Sequence, residues 1–135
     1  MTQEDKHLLL EDLCARLPYG VKVQIDLQSD IYPARACRVC SIEYAESGSA
    51  FIGVETWPYT YNEFREFLCK PYLFPLSSMT EEQKREYHEL IGGFFGTSAL
   101  ISFESLTDFF NKNHIDYRGL IPIGLANDAT GLNIY

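Results

Sequence analysis

The chain has 135 residues and a formal net charge of −8 at pH 7, with 46% hydrophobic and 22% charged residues. This length favours a single domain, 1–135, and the composition is typical of a folded globular protein and not of a disordered one. The acidic balance disfavours direct binding to nucleic acid, because such binding needs clustered Lys and Arg side chains.

The first half of the chain predicts one helix followed by three strands. Thr2 and Asp5 have the spacing of a capping box, and apolar residues recur at helical spacing over residues 2–17. Alternating or apolar runs bounded by turn residues predict strands over residues 21–27, 35–44 and 50–56. Because the connections are short, we expect an antiparallel β-meander.

An apolar, proline-bracketed connection over residues 70–79 joins this region to the second half. Pro71 and Pro75 lack a backbone N–H, so we expect neither a helix interior nor a central strand here. The segment still contains Tyr72, Leu73 and Phe74. We therefore expect it to lie against the core.

The remaining segments predict mostly helices. Capping-box spacings at Thr60 and Thr80 predict helices over residues 60–68 and 81–91, the second ended by Gly92-Gly93. The apolar residues between 94 and 103 indicate a short strand, and Ser105 caps a last helix that stops near Asn113. The predicted class is α+β, with an N-terminal helix, a small antiparallel β-meander and a mostly helical C-terminal half.

The first residues carry no basic segment followed by an apolar run, so the sequence predicts no secretory signal. No apolar run approaches the roughly 18 residues of a membrane span. We therefore expect a cytoplasmic protein that does not enter a membrane and whose four cysteines are reduced.

Cys37 and Cys40 have the C-x-x-C spacing of zinc and redox sites. They fall in a predicted strand, where residues three apart point to opposite faces, and no second C-x-x-C is present. Two unrelated strand cysteines are the simpler interpretation. The sequence also lacks nucleotide-binding and nucleophile motifs, so we predict no metal, no cofactor and no catalytic residue.

The most suggestive polar residues are Asp116, Tyr117 and Arg118. An arginine held by a nearby aspartate could present a planar donor fork to a carboxylate or phosphate. The alternative is a structural turn whose Arg118 binds backbone carbonyls. Together with Lys70 and Tyr72, these three residues form the predicted binding site.

Two segments resemble a family of short uncharacterised proteins from bacteriophages and mobile elements of gut anaerobic bacteria. The segments are Lys-Pro-Tyr-Leu at residues 70–73 with Ser-Ser-Met-Thr-Glu-Glu at 77–82, and Asp-Tyr-Arg-Gly-Leu-Ile at 116–121. The resemblance implies a small, acidic, intracellular bacterial or phage protein. It implies no activity, and it does not include Cys37 or Cys40.

Three functional hypotheses remain open. The first is a non-enzymatic binding module that recognises a host or phage protein through residues 70–82 and the turn from Asp116 to Arg118. The second is a protein or enzyme that binds a small nucleotide-like anion, using Lys70, Arg118 and Tyr72 as a stacking platform. The third is an acidic decoy that imitates the phosphate backbone of DNA. The lack of a catalytic motif favours the first.

Overall fold

The computed structural model of the chain describes residues 1–25, 36–46, 48–56, 60–94 and 99–135. For residues 56, 60, 61, 93, 94 and 99–103 it describes the backbone alone. Within these ranges the protein has three α-helices and a sheet of six strands, so the predicted α+β class is confirmed. No helix in this part of the chain is long and apolar enough to cross a membrane.

The first helix, α1, spans Gln3–Arg16 and begins at the predicted capping box. The Thr2 hydroxyl accepts a hydrogen bond from the Asp5 N–H at 3.1 Å, and the Asp5 carboxylate accepts one from the Thr2 N–H at 3.2 Å. These bonds satisfy two of the amide groups that a helix start leaves unpaired. Leu9 and Leu13 form the inner face of the helix and pack into the main core cluster.

Three strands follow α1: β1 is Lys22–Ile25, β2 is Ala36–Tyr44 and β3 is Ala50–Thr56. Both neighbouring pairs are antiparallel. The limits of β3 match the prediction, and residues 26, 27 and 35 of the other two predicted strands lie outside the described residues. The ladder between β2 and β3 shifts register between Val39 and Ser41.

The predicted helix over residues 60–68 is wrong. Residues Thr60–Arg65 form strand β4, which pairs antiparallel with β3 from Thr56–Thr60 to Phe51–Arg65, and a 3₁₀ turn covers Glu66–Leu68. Successive side chains of a strand point to opposite faces of the sheet. Phe64 therefore packs against the core, whereas the Arg65 guanidinium lies 5.6 Å from the centre of the Phe51 ring. This full-length pairing with β3 outweighs the local capping-box pattern.

The expectation that the Pro71 segment avoids a central strand is also wrong. Strand β5, Cys69–Leu73, lies between β1 and a final short strand, and its Pro71 is paired with Val23. The carbonyl of Leu73 accepts the Ala129 N–H at 2.8 Å, so the backbone groups of Leu73 point toward the final strand. Because every second residue of a strand points its backbone groups to the same side, those of Pro71 point toward that strand as well. Pairing with that strand begins only at Tyr72, so the missing N–H of Pro71 interrupts no ladder bond.

The sheet order is β4-β3-β2-β1-β5-β6, where β6 is Asn127–Asp128. The pair β5–β6 is parallel and the other four pairs are antiparallel. The sheet is therefore mixed and larger than the predicted small antiparallel meander.

The remaining helices are α2, Glu81–Phe94, and α3, Ala99–Lys112. The capping box before α2 is confirmed, with hydrogen bonds of 2.9 and 3.1 Å between Thr80 and Gln83. The predicted stop at Gly92-Gly93 is wrong by a short distance, since α2 continues to Phe94. The predicted cap at Ser105 is wrong, because α3 already begins at Ala99 and packs Phe109 and Phe110 against α2. Of the strand predicted between 94 and 103, residues 94 and 99–103 are helical, and residues 95–98 lie outside the described residues.

Three apolar clusters hold these elements together. The first joins α1 to the sheet, the second contains Leu73, Leu120 and Leu125, and the third contains Phe109, Phe110 and Ile115. The apolar connection contributes as expected, because Tyr72 and Leu73 are buried and Met79 packs on the third cluster. The second cluster holds the 120–125 turn against β5.

Candidate functional site

The Asp116 side chain is buried and forms a turn with the residues that follow it. Its two carboxylate oxygens accept the N–H groups of Leu120 and Ile121, each at 2.8 Å. Both oxygens are thus engaged with backbone donors, as in other Asp-stabilised turns. Within the described residues Asp116 forms no ion pair with Arg118.

The turn that Asp116 begins continues as a compact loop that presents Ile123. The Gly124 N–H donates to the Ile121 carbonyl at 3.1 Å, and the Leu125 N–H donates to the Leu120 carbonyl at 2.9 Å. Gly124 has a φ of 81°, a left-handed conformation that glycine adopts without strain. Leu120 and Leu125 are buried, so the exposed side chain of Ile123 stands at the tip.

Arg118 is held by an aspartate, but the partner is Asp12 of α1. Its Nη1 donates to Asp12 Oδ1 at 2.8 Å, and its guanidinium carbon lies 4.4 Å from the centre of the Tyr117 ring. The arginine side chain is 13% exposed. The arginine is therefore held by Asp12 and not by Asp116, and most of its surface is covered.

Asp12 also forms a fully buried ion pair with Arg16. Both side chains have 0% exposure, and Arg16 Nε lies 3.0 Å from each Asp12 carboxylate oxygen. The other two guanidinium nitrogens donate to the carbonyls of Phe110 at 3.3 Å and Ile115 at 2.6 Å. This cluster joins α1 to the end of α3 and to the segment after it.

Two opposing effects act on the pKa of Asp12, because its carboxyl is buried beside two guanidinium groups. Burial raises the pKa of the Asp12 carboxyl above its ordinary value, while the guanidinium groups of Arg16 and Arg118 lower it. The sequence prediction missed Asp12 and Arg16. The sequence does contain a sign of this pair, because Asp12 and Arg16 lie on the same helical face as Leu9 and Leu13, with the spacing i, i+3, i+4, i+7. Opposite charges on an apolar helix face indicate a buried ion pair.

Tyr117 stacks on Phe110 at 5.1 Å between ring centres, and its hydroxyl is buried. Neither this hydroxyl nor the Asn111 side-chain carbonyl has a hydrogen-bond partner among the described residues. Burial raises the pKa of Tyr117, and Asn111 is close enough to lower it in part.

Tyr72 is buried and does not form an exposed stacking platform. Its carbonyl accepts the Tyr135 hydroxyl at 2.8 Å, and the same hydroxyl accepts the Lys22 N–H at 2.9 Å. Tyr135 thus bridges β1 and β5 immediately beyond the Val23–Pro71 pair. The bridge replaces a ladder bond that the two strands do not form directly.

His114 stacks on Tyr135, with ring centres 3.7 Å apart and planes at 9°. His114 adopts a left-handed φ of 56°, which an ordinary side chain takes up only when its surroundings favour it. Burial, with smaller effects of Arg16 and Lys22, lowers the pKa of His114 to about 4. The imidazole is therefore neutral at pH 7.

Lys70 lies apart from this buried network, in an open cleft of about 660 Å³. The cleft is bounded by the start of α1, the β1–β5 pair, the 3₁₀ turn after β4 and the 120–125 turn. Phe67 and Ile123 line it and are 57% and 54% exposed. Among the described residues, no carboxylate lies within ion-pair distance of Lys70.

The structure therefore places the five predicted site residues in two environments. Tyr72, Asp116, Tyr117 and Arg118 form contacts within the fold, and Lys70 faces the cleft. Asp116 is connected to the cleft indirectly, because its carboxylate fixes the turn that carries Ile123. The exposure of Phe67 and Ile123 was missed, since each lies among other apolar residues of the sequence and the pattern there does not distinguish buried from exposed side chains.

Cys14, Cys37, Cys40 and Cys69 are all thiols. Burial raises the pKa of Cys37 and of Cys40, which is opposite to the effect that activates a redox thiol. In the described part of the chain, no three His, Cys, Asp or Glu side chains are placed to hold one metal ion.

Comparisons with known proteins add no relative. No protein-family model matches the chain, and no curated protein or solved structure matches it.

Proposed function

We propose that the protein is a non-enzymatic binding module whose partner is another protein, and that the partner docks in the cleft beside Lys70. One observation carries the proposal. The exposed side chains of Met1, Phe67 and Ile123 lie around the same cleft and do not pack into the core. Exposed apolar groups gathered at one place, with a polar rim, are typical of interaction sites.

The cleft also receives a contribution from both segments that resemble phage and mobile-element proteins. Lys70 lines it directly, and the segment from Asp116 to Ile121 shapes the turn that supplies Ile123. A shared binding surface would explain why two segments far apart in the chain form one signature. The phage or mobile-element origin itself stays a prediction.

Ionisable groups of the buried network support a binding role over catalysis. The carboxylates of Asp12 and Asp116 are each engaged in two or more hydrogen bonds within the fold. A general acid or base must reach the proton that it transfers. These two groups instead hold α1 and the 120–125 turn in place.

Affinity capture with matched variants tests the proposal. The bait is the wild-type protein in a lysate of gut anaerobic bacteria, the source that the resemblance implies. Ile123→Ala and Phe67→Ala are the cleft variants, and Leu132→Ala is the control because Leu132 is also 54% exposed but does not line the cleft. Truncating an anchor residue typically costs more than about 1.4 kcal/mol, a tenfold loss of affinity.

We expect one stoichiometric protein with wild type and Leu132→Ala, reduced at least tenfold with both cleft variants. Equal recovery with Ile123→Ala and wild type would show that the partner docks elsewhere. Circular dichroism of each variant checks that the fold is intact.

A second candidate is a small anionic ligand in the same cleft. The observation in its favour is size, since about 660 Å³ lies within the roughly 300–1,000 Å³ range of small-molecule pockets. A thermal-shift screen of nucleotides tests it. A ligand at 100 times its dissociation constant stabilises the folded state by about 2.7 kcal/mol, and a flat screen would count against this candidate. The DNA-mimic hypothesis stays a prediction.

A further inference from the structure

The charges in the cleft indicate what the occupant carries. We propose that the occupant is a peptide segment in which an acidic side chain stands beside a large apolar one. The acid pairs with Lys70, and the apolar side chain lies against Phe67 and Ile123. This inference rests on the proposed function and specifies the partner's chemistry.

Lys70 has the position of an anchor for an acid. It is exposed, it lines the cleft, and within the described residues it has no ion-pair partner. The neighbouring Gln24, paired with Lys70 across the β1–β5 ladder, accepts the Asn127 amide at 2.8 Å. That bond uses the Gln24 carbonyl oxygen, so the NH₂ group of the same amide is the part that could donate to a ligand.

Two further cations lie on the same face of the sheet. Lys22 is two residues from Gln24 on β1, and Arg38 is its direct partner on β2. Like charges directly opposite each other destabilise a sheet. Here Arg38 pairs with Glu55 at 2.8 Å and the Lys22 ammonium donates to the Ile134 carbonyl at 2.8 Å. Because Glu55 neutralises Arg38, the cations that remain on the β1–β5 part of this face are Lys22 and Lys70, which suit an acidic partner.

Asp5 is the acidic residue on the wall of the cleft. Its carboxylate accepts the Thr2 N–H at 3.2 Å and lies at the start of α1. The positive end of the helix dipole offsets part of its charge. Lys70 is therefore the side chain of the cleft that offers a positive charge to an acid.

The test is selection from a phage-displayed library of random peptides against four proteins. These are wild type, Lys70→Glu, Ile123→Ala and the control Lys112→Glu. Lys112 is exposed on α3, so its variant has the same change in net charge at a distant element. The affinity of the most enriched peptide is then measured by fluorescence polarisation.

We expect wild type and Lys112→Glu to enrich peptides with Asp or Glu next to a large apolar residue. Lys70→Glu should enrich Lys or Arg at that position and bind the acidic peptide at least tenfold more weakly. Two outcomes would overturn the inference: an unchanged preference for acidic peptides in Lys70→Glu, or no peptide enrichment by wild type. Either outcome would leave the proposed function intact if affinity capture still recovers a partner protein. Unchanged selection by Ile123→Ala would count against the cleft itself, and with it the proposed function.

Discussion

Replacing Asp12 by asparagine is expected to destabilise the protein by about 3 kcal/mol, because Arg16 then lies buried without a counter-charge. Both side chains have 0% exposure, so water does not replace the lost carboxylate. Breaking a buried pair typically costs about 3–5 kcal/mol. Asparagine keeps one acceptor oxygen, which places the expected loss at the lower end of that range.

The loss is measured by urea denaturation followed by far-UV circular dichroism. A stability of about 5–15 kcal/mol is usual for a domain, so a loss of about 3 kcal/mol is easily resolved. The melting temperature should fall by roughly 10 °C for a chain of this size. Glu11→Gln is the matched control, since Glu11 precedes Asp12 on α1 and is exposed. It should change stability by less than about 0.5 kcal/mol.

A second variant separates the buried charge from a general loss of packing. In Asp12→Asn/Arg16→Met the fully buried guanidinium is also removed, and the charge that still lacks its partner is that of Arg118, whose side chain is 13% exposed. Part of the stability should therefore return. A double variant that is less stable than the sum of the two single variants would contradict this reasoning. So would a loss below about 1 kcal/mol in Asp12→Asn, because it would mean that the pair is hydrated in solution.

Three further outcomes are expected. Tyr135→Phe removes the bridge between the Lys22 N–H and the Tyr72 carbonyl. The free energy of unfolding, measured by urea denaturation, should fall by about 1 kcal/mol, because water reaches part of this site. An unchanged free energy would show that the bridge does not form. The pKa of about 4 for His114 lies below that of an unfolded histidine, because the folded state disfavours the charged imidazole. The contribution of His114 to the free energy of unfolding is therefore fully present above pH 6.5 and decreases toward pH 4, by at most about 3 kcal/mol. His114→Asn, which also tolerates a positive φ, should flatten the dependence of stability on pH in that window, and an unchanged slope would assign it to other groups. Thr80→Ala removes the cap of α2 and should cost about 1 kcal/mol, measured by thermal melting, whereas a cost near zero would indicate that the helix start is frayed.

Features decided by neighbouring residues could be predicted from the sequence. The capping boxes at Thr2 and Thr80 are examples, because each needs only two side chains three residues apart. The limits of β3 are another, since turn residues bound an apolar run. In each case the residues that determine the structure are close together in the sequence.

Features decided by distant residues could not be predicted in this way. The segment Thr60–Arg65 has the local pattern of a helix start, but pairing with β3 along its whole length makes it a strand. Pro71 is tolerated in a central strand because β6 pairs with β5 only beyond it. The bond between Arg118 and Asp12 joins residues 106 positions apart, and no local pattern reports such a contact.

The motif from Asp116 to Arg118 shows how one polar segment serves two purposes. Arg118 secures α1 through Asp12, while the Asp116 carboxylate fixes the turn at Leu120 and Ile121. That turn is packed against β5 and carries Ile123 to the cleft that Lys70 lines. The hydrogen-bonded residues therefore position the surface, and the residues proposed to contact the partner are exposed side chains that lie around the cleft. A mutation in the first group should act through stability, whereas one in the second should act on binding alone.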